Sequence, residues 1–345
     1  MNKEKLLETF DPNGVGIENG HFIGLPFKEE HADLVVLSIP WDVTVSYSDG
    51  TSTGPENILH ASTQLDLYDA DFPNAWKKGI FMRPSPAKLR ELNKQFREKA
   101  KKHIDFLESG GNTRDSSEQQ SLVSEINEAC HTCKDFVYEQ TLALLKKGKK
   151  VGICGGSHAT PLGFLKALSE VHSSFGILQF DAHMDLRNSY EDFELSHASI
   201  MHNALKINNI SQLTQIGIRD YCDQEIDLAA SMPERITVFT DASIKRRGFE
   251  GEAFKDIVHS IIKTLPQKVY ISFDIDGLDP KLCPNTGTPV PGGFEFQEAV
   301  FIIVELRKSG REIIGFDLNE VGGLGNEWDG NVGARVLHKL ILATL

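Results

Sequence analysis

From Val151 onward, short apolar runs alternate with segments whose apolar residues recur at helical spacing. The apolar runs predict strands near 150–154, 175–180, 212–218, 235–240, 268–274 and 311–318. Helical periodicity falls near 160–172, 198–207, 252–264, 295–308 and 331–344. An earlier run, Ala32 to Pro40, is rich in β-branched residues and stopped by proline, as a buried strand would be. Strands alternating with helices predict an α/β fold with a mainly parallel sheet covered on both faces. Sheets of that kind bind ligands beyond the carboxyl ends of their strands. The loop Trp41 to Pro55, rich in Ser, Thr, Gly and Asp, follows the first strand and is therefore a binding loop or a plain connection.

Residues 77–147 break this rhythm. Lys88 to Glu108 is strongly charged with apolar positions at helical spacing, and Gly110-Gly111-Asn112 interrupts it. Ser117 to Lys147 then reads as one long amphipathic helix. The lysines around 146–150 suit the negative end of that helix, so they are read as a cap and not as a nucleic-acid patch. Cys130 and Cys133 form a CxxC inside the helix with no second pair and no βαβ context, which reads as structural. With no repeat and no low-complexity linker, the expectation is one unit over 1–345 carrying a charged helical excursion at about 77–147.

Composition narrows the class. A 40% hydrophobic content supplies a large core, and the formal net charge of −13 disfavours nucleic acid while suiting a cationic ligand. Met1 to Pro12 lacks an apolar signal core, and no apolar run approaches the ~20 residues of a membrane span. Five cysteines, an odd number in a long chain, fit free thiols in a reducing cytoplasm. The expected setting is cytoplasmic, away from membranes.

The strand ends carry the chemistry. Phe175 to Phe180 leads into Asp181, His183 and Asp185, which share one face if the chain stays extended. Such a triplet can arise by chance on a surface. Next to a buried strand, though, two unpaired carboxylates would be very costly, and a cation removes that cost. Val151 to Cys154 leads into Gly155-Gly156-Ser157-His158, and Val269 to Phe273 into Asp274 and Asp276, with Asp279 a possible support. Two histidines and four aspartates are too many for one tetrahedral site and unlike the Cys/His set of structural zinc. Mixed imidazole and carboxylate ligands around two metals generate hydroxide at neutral pH, which points to hydrolysis.

Three segments, Gly155-Gly156-Ser157-His158, Asp181-Ala182-His183-Met184-Asp185 and Ser272 to Pro280, resemble the signature motifs of the ureohydrolases: arginase, agmatinase and formimidoylglutamase. The likeness is closest to the agmatinase branch, through Ser196 to Met201, Ile216 to Arg219 and Asn285 to Gly293. It implies a three-layer α/β/α sandwich, a homo-oligomer (trimer or hexamer) and two divalent ions, manganese with nickel as the alternative. By resemblance, His158, Asp181, Asp185 and Asp274 would ligate one ion, and His183 and Asp276 the other, with Asp181 and Asp274 bridging. The implied reaction is attack of metal-bridging hydroxide on a guanidino carbon, releasing urea from a small cationic substrate. Glu320 would hold the guanidinium and His197 would pass a proton to the leaving amine. Asp185 would join them as a catalytic carboxylate, and Asn188 would contact substrate. Arginine, guanidine, guanidinobutyrate or a formimino compound are alternative substrates, and a binuclear phosphoesterase or a non-catalytic relative are alternative classes. Three departures bear on substrate: Ser157 where relatives usually carry an acidic residue, the long 77–147 segment, and Val321 to Asp329.

Overall fold

The computed structural model describes residues 2–345. Eight strands form one sheet: β1 Leu34–Ile39, β2 Ile80–Met82, β3 Lys150–Gly155, β4 Phe175–Phe180, β5 Ile210–Ile218, β6 Ile236–Thr240, β7 Lys268–Asp274 and β8 Glu312–Asn319. Their order is β2-β1-β3-β8-β7-β4-β5-β6 and every pairing is parallel. The helices are α1 Lys3–Thr9, α2 Gly54–Ala61, α3 Ala87–Glu108, α4 Ser117–Lys146, α5 Leu162–Val171 and α6 Ile200–Ala204. Then come α7 Asp223–Ser231, α8 Asp241–Phe249, α9 Phe254–Lys263, α10 Phe296–Lys308 and α11 Glu327–Thr344. None of the described helices is long and apolar enough to cross a membrane.

Strand alternation builds two cores. Val35, Leu37 and Ile39 face one side of β1, with Leu34 and Val36 on the other. Likewise Phe175 and Ile177 of β4 point one way, Leu178 and Phe180 the other. The first core is closed by α3 to α6, through residues such as Ile104, Val137, Phe164 and Met201. The second is closed by α2 and α8 to α11, through Ile58, Ile244, Ile261, Ile302 and Leu337. The three-layer α/β/α sandwich therefore follows from strands that are apolar on both faces.

Two expectations change. The 77–147 segment is not purely helical: Ile80–Met82 pairs with β1 and forms one edge of the sheet. Three residues are too few for a periodicity to show. The helix expected over 198–207 shrinks to α6, preceded by a 3₁₀ turn at His197–Ser199. The remaining departures are omissions, helices α1, α2, α7 and α8, each of only seven to nine residues.

Candidate metal centre

Because β3, β8, β7 and β4 are neighbours and parallel, their carboxyl ends meet side by side. At the end of β3, Gly155 and Gly156 let the chain turn inward through a gap that admits no side chain. A Cβ on Gly155 would lie 1.9 Å from Asn319 Oδ1, and one on Gly156 2.4 Å from the Trp41 carbonyl. The turn delivers His158, which is fully buried. Its Nε2 lies 2.8 Å from Ser272 Oγ, and that hydroxyl donates to Asp317 Oδ1 at 3.1 Å. This relay assigns the proton to Nε2 and turns the Nδ1 lone pair toward the cluster.

What Nδ1 meets there is oxygen. Asp181 Oδ2 and Asp185 Oδ2 are each 3.0 Å away and Asp274 Oδ2 is 3.4 Å away, yet Nδ1 makes no well-formed hydrogen bond. A second convergence surrounds His183, whose Nδ1 is 3.1 Å from Asp276 Oδ2 and 3.5 Å from Asp181 Oδ1. Two ligand sets, His158/Asp181/Asp185 and Asp181/His183/Asp276, thus share Asp181. Asp274 stands beside the first set, its Oδ1 accepting the Asp276 N–H at 2.9 Å. Electron-pair donors packed this closely repel one another unless a cation or protons lie between them. The mixed nitrogen and carboxylate-oxygen set fits a divalent metal ion.

Without metal, protons must do that balancing, and the acidities show it. Burial lowers the His183 pKa, but Asp276 and Asp181 overrule it and push it up to about 12. His158 is likewise raised well above normal, Asp181 and Asp185 outweighing burial. Burial and the neighbouring Asp181 charge push Asp185 up to about 8, while the two histidines hold Asp181 low. The backbone is also unusual, since Asp185 has φ 56° and Glu320 φ 61°, in the left-handed region that disfavours side chains.

Glu320 is buried, and its Oε1 accepts the His158 N–H at 2.9 Å. Its Oε2 has no partner and faces a narrow recess lined by Ser46, His197, Gly287 and Thr288. Burial pushes the Glu320 pKa up to about 7. The recess adjoins a cavity of about 440 Å³ that includes His183, Asp185, Arg187, Tyr190, Asp220, Tyr221 and Glu225 in its walls. His197 belongs to both walls, with Nε2 3.4 Å from Ser46 Oγ. Burial first, then the positive His183 and His158, press its pKa down to about 4.

The structure thus brings together His158, Asp181, His183, Asp185, Asp274, Asp276, His197 and Glu320. It does not bring Asn188 with them. Asn188 is exposed and absent from the cavity lining, where Arg187 and Tyr190 of the same turn stand. Asp279 is also elsewhere, capping its own turn by accepting the Lys281 N–H. The Ser272–Asp317 relay escaped sequence reading, although polar residues inside apolar strands were a visible signal. Ser46 and Tyr47 lie in the Ser46 to Pro55 loop, which resembles the substrate-side loop of the ureohydrolases, whereas Tyr221 had no signal beyond its place after a strand.

A family model described as Arginase family matches residues 32–342. The chain belongs to the arginase family. An N(1)-aminopropylagmatine ureohydrolase of Thermococcus kodakarensis is 31% identical, covering 86% of this chain and 85% of that protein. An agmatinase of Neisseria meningitidis serogroup C is 30% identical, covering 90% and 87%. Among solved structures, the agmatine ureohydrolase of Thermoplasma volcanium superposes with a TM-score of 0.70 at 22% identity, covering 99% and 97%. The arginase-family fold accounts for the parallel sheet flanked by helices.

Proposed function

We propose that the chain, acting as one unit, is a binuclear metal-dependent amidinohydrolase that releases urea from agmatine or a similar guanidino compound without a carboxylate. The observation that carries this reading is the unpartnered Glu320 Oε2, buried in a recess beside two ligand sets that share Asp181. A guanidinium presents planar N–H donors that a carboxylate accepts well. Family membership and the two curated relatives, both named for agmatine-type substrates, support the same chemistry.

His158, Asp181, Asp185 and Asp274 would hold one divalent ion and His183 and Asp276 the other, manganese being the first choice and nickel the second. Bound there, such a pair supplies a water of lowered pKa as the nucleophile. The protein supplies the rest. Glu320 fixes the guanidinium plane, so that the carbon faces the ligand cluster. His197, kept neutral by burial, can take a proton at Nε2 and hand it to the departing alkyl amine. The bond broken is that between the guanidino carbon and the substituted nitrogen, leaving urea and a free amine. The chain of the substrate would lie along Tyr47 and Tyr221, whose faces suit a cationic tail, with Asp220 at the same wall; the Tyr190 ring is covered by the Arg187 guanidinium.

Phosphoester hydrolysis fits less well. Arg219, one of the two nearby arginines, spends its donors on the carbonyls of Gly217, Asp276, Leu278 and Val290. The deciding experiment is urea release from a panel of agmatine, aminopropylagmatine, guanidinobutyrate, arginine and guanidine, using chelator-stripped protein reloaded with manganese or nickel. Metal-dependent urea from agmatine or its N-substituted form is expected. Activity that survives metal removal would reject the mechanism.

A further inference from the structure

Helix α3 stands outside the ligand cluster, yet one of its faces reaches the cavity wall. Asn93, Arg97 and Lys101 recur every four residues and so project from the same side of the helix. Each contacts the loop that follows β1. Asn93 Nδ2 donates to Asp42 Oδ1 at 2.8 Å and its Oδ1 accepts the Asp42 N–H at 2.7 Å. Lys101 pairs with Asp49 at the far end of the same loop. Arg97 lies between them and is 9% exposed. Its Nη1 donates to the carbonyls of Val43 at 3.1 Å and Val45 at 2.6 Å, and its Nε is 3.6 Å from Asp49 Oδ2.

A buried guanidinium on two loop carbonyls is a specific arrangement, since an uncompensated charge at that depth would be costly. The next residue after Val45 is Ser46, whose Oγ is 3.4 Å from His197 Nε2. Thr44, between the two gripped carbonyls, donates from Oγ1 to the Leu195 carbonyl at 3.2 Å, two residues before His197. A second loop, residues 186–197 after β4, feels Arg97 too: burial raises the Glu191 pKa and the Arg97 charge opposes it. Glu191 and Asp192 both hold left-handed backbone, at φ 52° and 62°. That strain persists only where surroundings impose it. Asp192 is accordingly tied to Thr113 Oγ1 at 2.5 Å and lies 3.5 Å from the buried His103 Nε2 of α3.

We propose that Arg97 is a positioning residue for the reaction: by gripping the Val43 and Val45 carbonyls from outside the cavity, it sets the pose of Ser46 and, through it, of His197. The inference rests on the proton-transfer role given to His197 above. It assigns a task to the charged 77–147 segment, which is to hold two cavity loops in register rather than to touch substrate.

The test uses the full-length, metal-loaded enzyme, with urea release from agmatine and hydrogen exchange over residues 43–49 measured in parallel. Arg97→Met should keep its metal, lower kcat by about ten- to hundred-fold with a smaller change in KM, and speed exchange over 43–49 while leaving β4 protected. Arg97→Lys, which still donates to carbonyls, should recover most of the loss. Ser46→Ala placed on Arg97→Met should cost far less than Ser46→Ala alone, because both act along one path. Should Arg97→Met not fold, Asp49→Asn, changed at the exposed end of the clamp, must show a several-fold loss of kcat coupled to Ser46→Ala in the same way. Additive losses, or unchanged kcat and exchange, would overturn the proposal. If the wild-type protein releases no urea from any guanidino compound, the functional reading fails, and exchange over 43–49 still decides whether Arg97 holds the loop.

Discussion

The floor and the wall of the cavity are built on different physical terms. On the floor, charged groups at the ends of β3, β4 and β7 converge within about hydrogen-bonding distance, with a histidine nitrogen 3.0–3.4 Å from an oxygen of each of the four aspartates. Two segments of the wall, 41–50 and 186–197, are held by carbonyls, hydroxyls, side-chain amides, the carboxylates of Asp42 and Asp49 and one buried guanidinium. Strand ends are framed by the sheet, and the support they use, such as Ser272 and Asp317 behind His158, comes from neighbouring strands. Loops have no such frame, so their placement depends on a helix distant in sequence. The contrast teaches that metal affinity and turnover should be separable in this protein: floor changes remove both, wall changes only the second.

The sharpest way to break that contrast is to remove a shared ligand. Asp181→Ala should abolish bound metal and reduce urea release at least about 10³-fold, as expected when both ligand sets lose their common member. Metal analysis of the purified variant checks it, and retained stoichiometric metal would contradict the shared-ligand assignment. Next in size, Glu320→Gln and His197→Ala should keep their metal while kcat/KM falls by about 10²–10³-fold. A His197→Ala protein without metal would move that residue from the wall to the floor.

A smaller effect lies in pH. In the metal-free protein His183 has a folded pKa of about 12, well above its ordinary 6.5, so the folded state holds a proton that the unfolded chain releases above pH 6.5. The stability this contributes is complete below pH 6.5 and is lost as pH rises toward 12. Metal-free protein should therefore melt at lower temperature at pH 9 than at pH 7. Adding manganese at pH 7 should release protons, because ligands must give them up. Calorimetry in buffers of different ionisation enthalpy reads that release, and zero protons would mean that the floor does not bind the ion. Smallest of all, Thr44→Val strands the Leu195 carbonyl and should cost about 1 kcal/mol of stability with unchanged metal content.

How much of this was visible before the fold was known follows the same division. His158, Asp181, His183, Asp185, Asp274 and Asp276 each lie at or within a few residues of the end of an apolar run, so reading the runs as parallel strands puts them on one edge, while the order β3-β8-β7-β4 decides that they meet. Glu320 follows β8 in the same way. Asn188 is exposed and outside the cavity lining, in a turn whose path the spacing of residues 181–190 does not reveal. Strand β2 was too short for a periodicity, and its place beside β1 comes from sheet pairing alone.

Local pattern therefore determined the alternating elements, the parallel sheet and the set of groups at its carboxyl edge. Each of these is written in consecutive residues, where spacing maps directly onto direction. Tertiary structure alone decided that Asn93, Arg97 and His103 stand behind the cavity wall, that Ser46 reaches His197, and that Ser272 and Asp317 orient His158. Those partners lie roughly 40 to 150 residues apart along the chain, apart from the shorter reach within the strand ends themselves. No periodicity connects such pairs: strand order brings Ser272, Asp317 and His158 together, and the packing of α3 beside the sheet brings Asn93, Arg97 and His103 within reach of the wall.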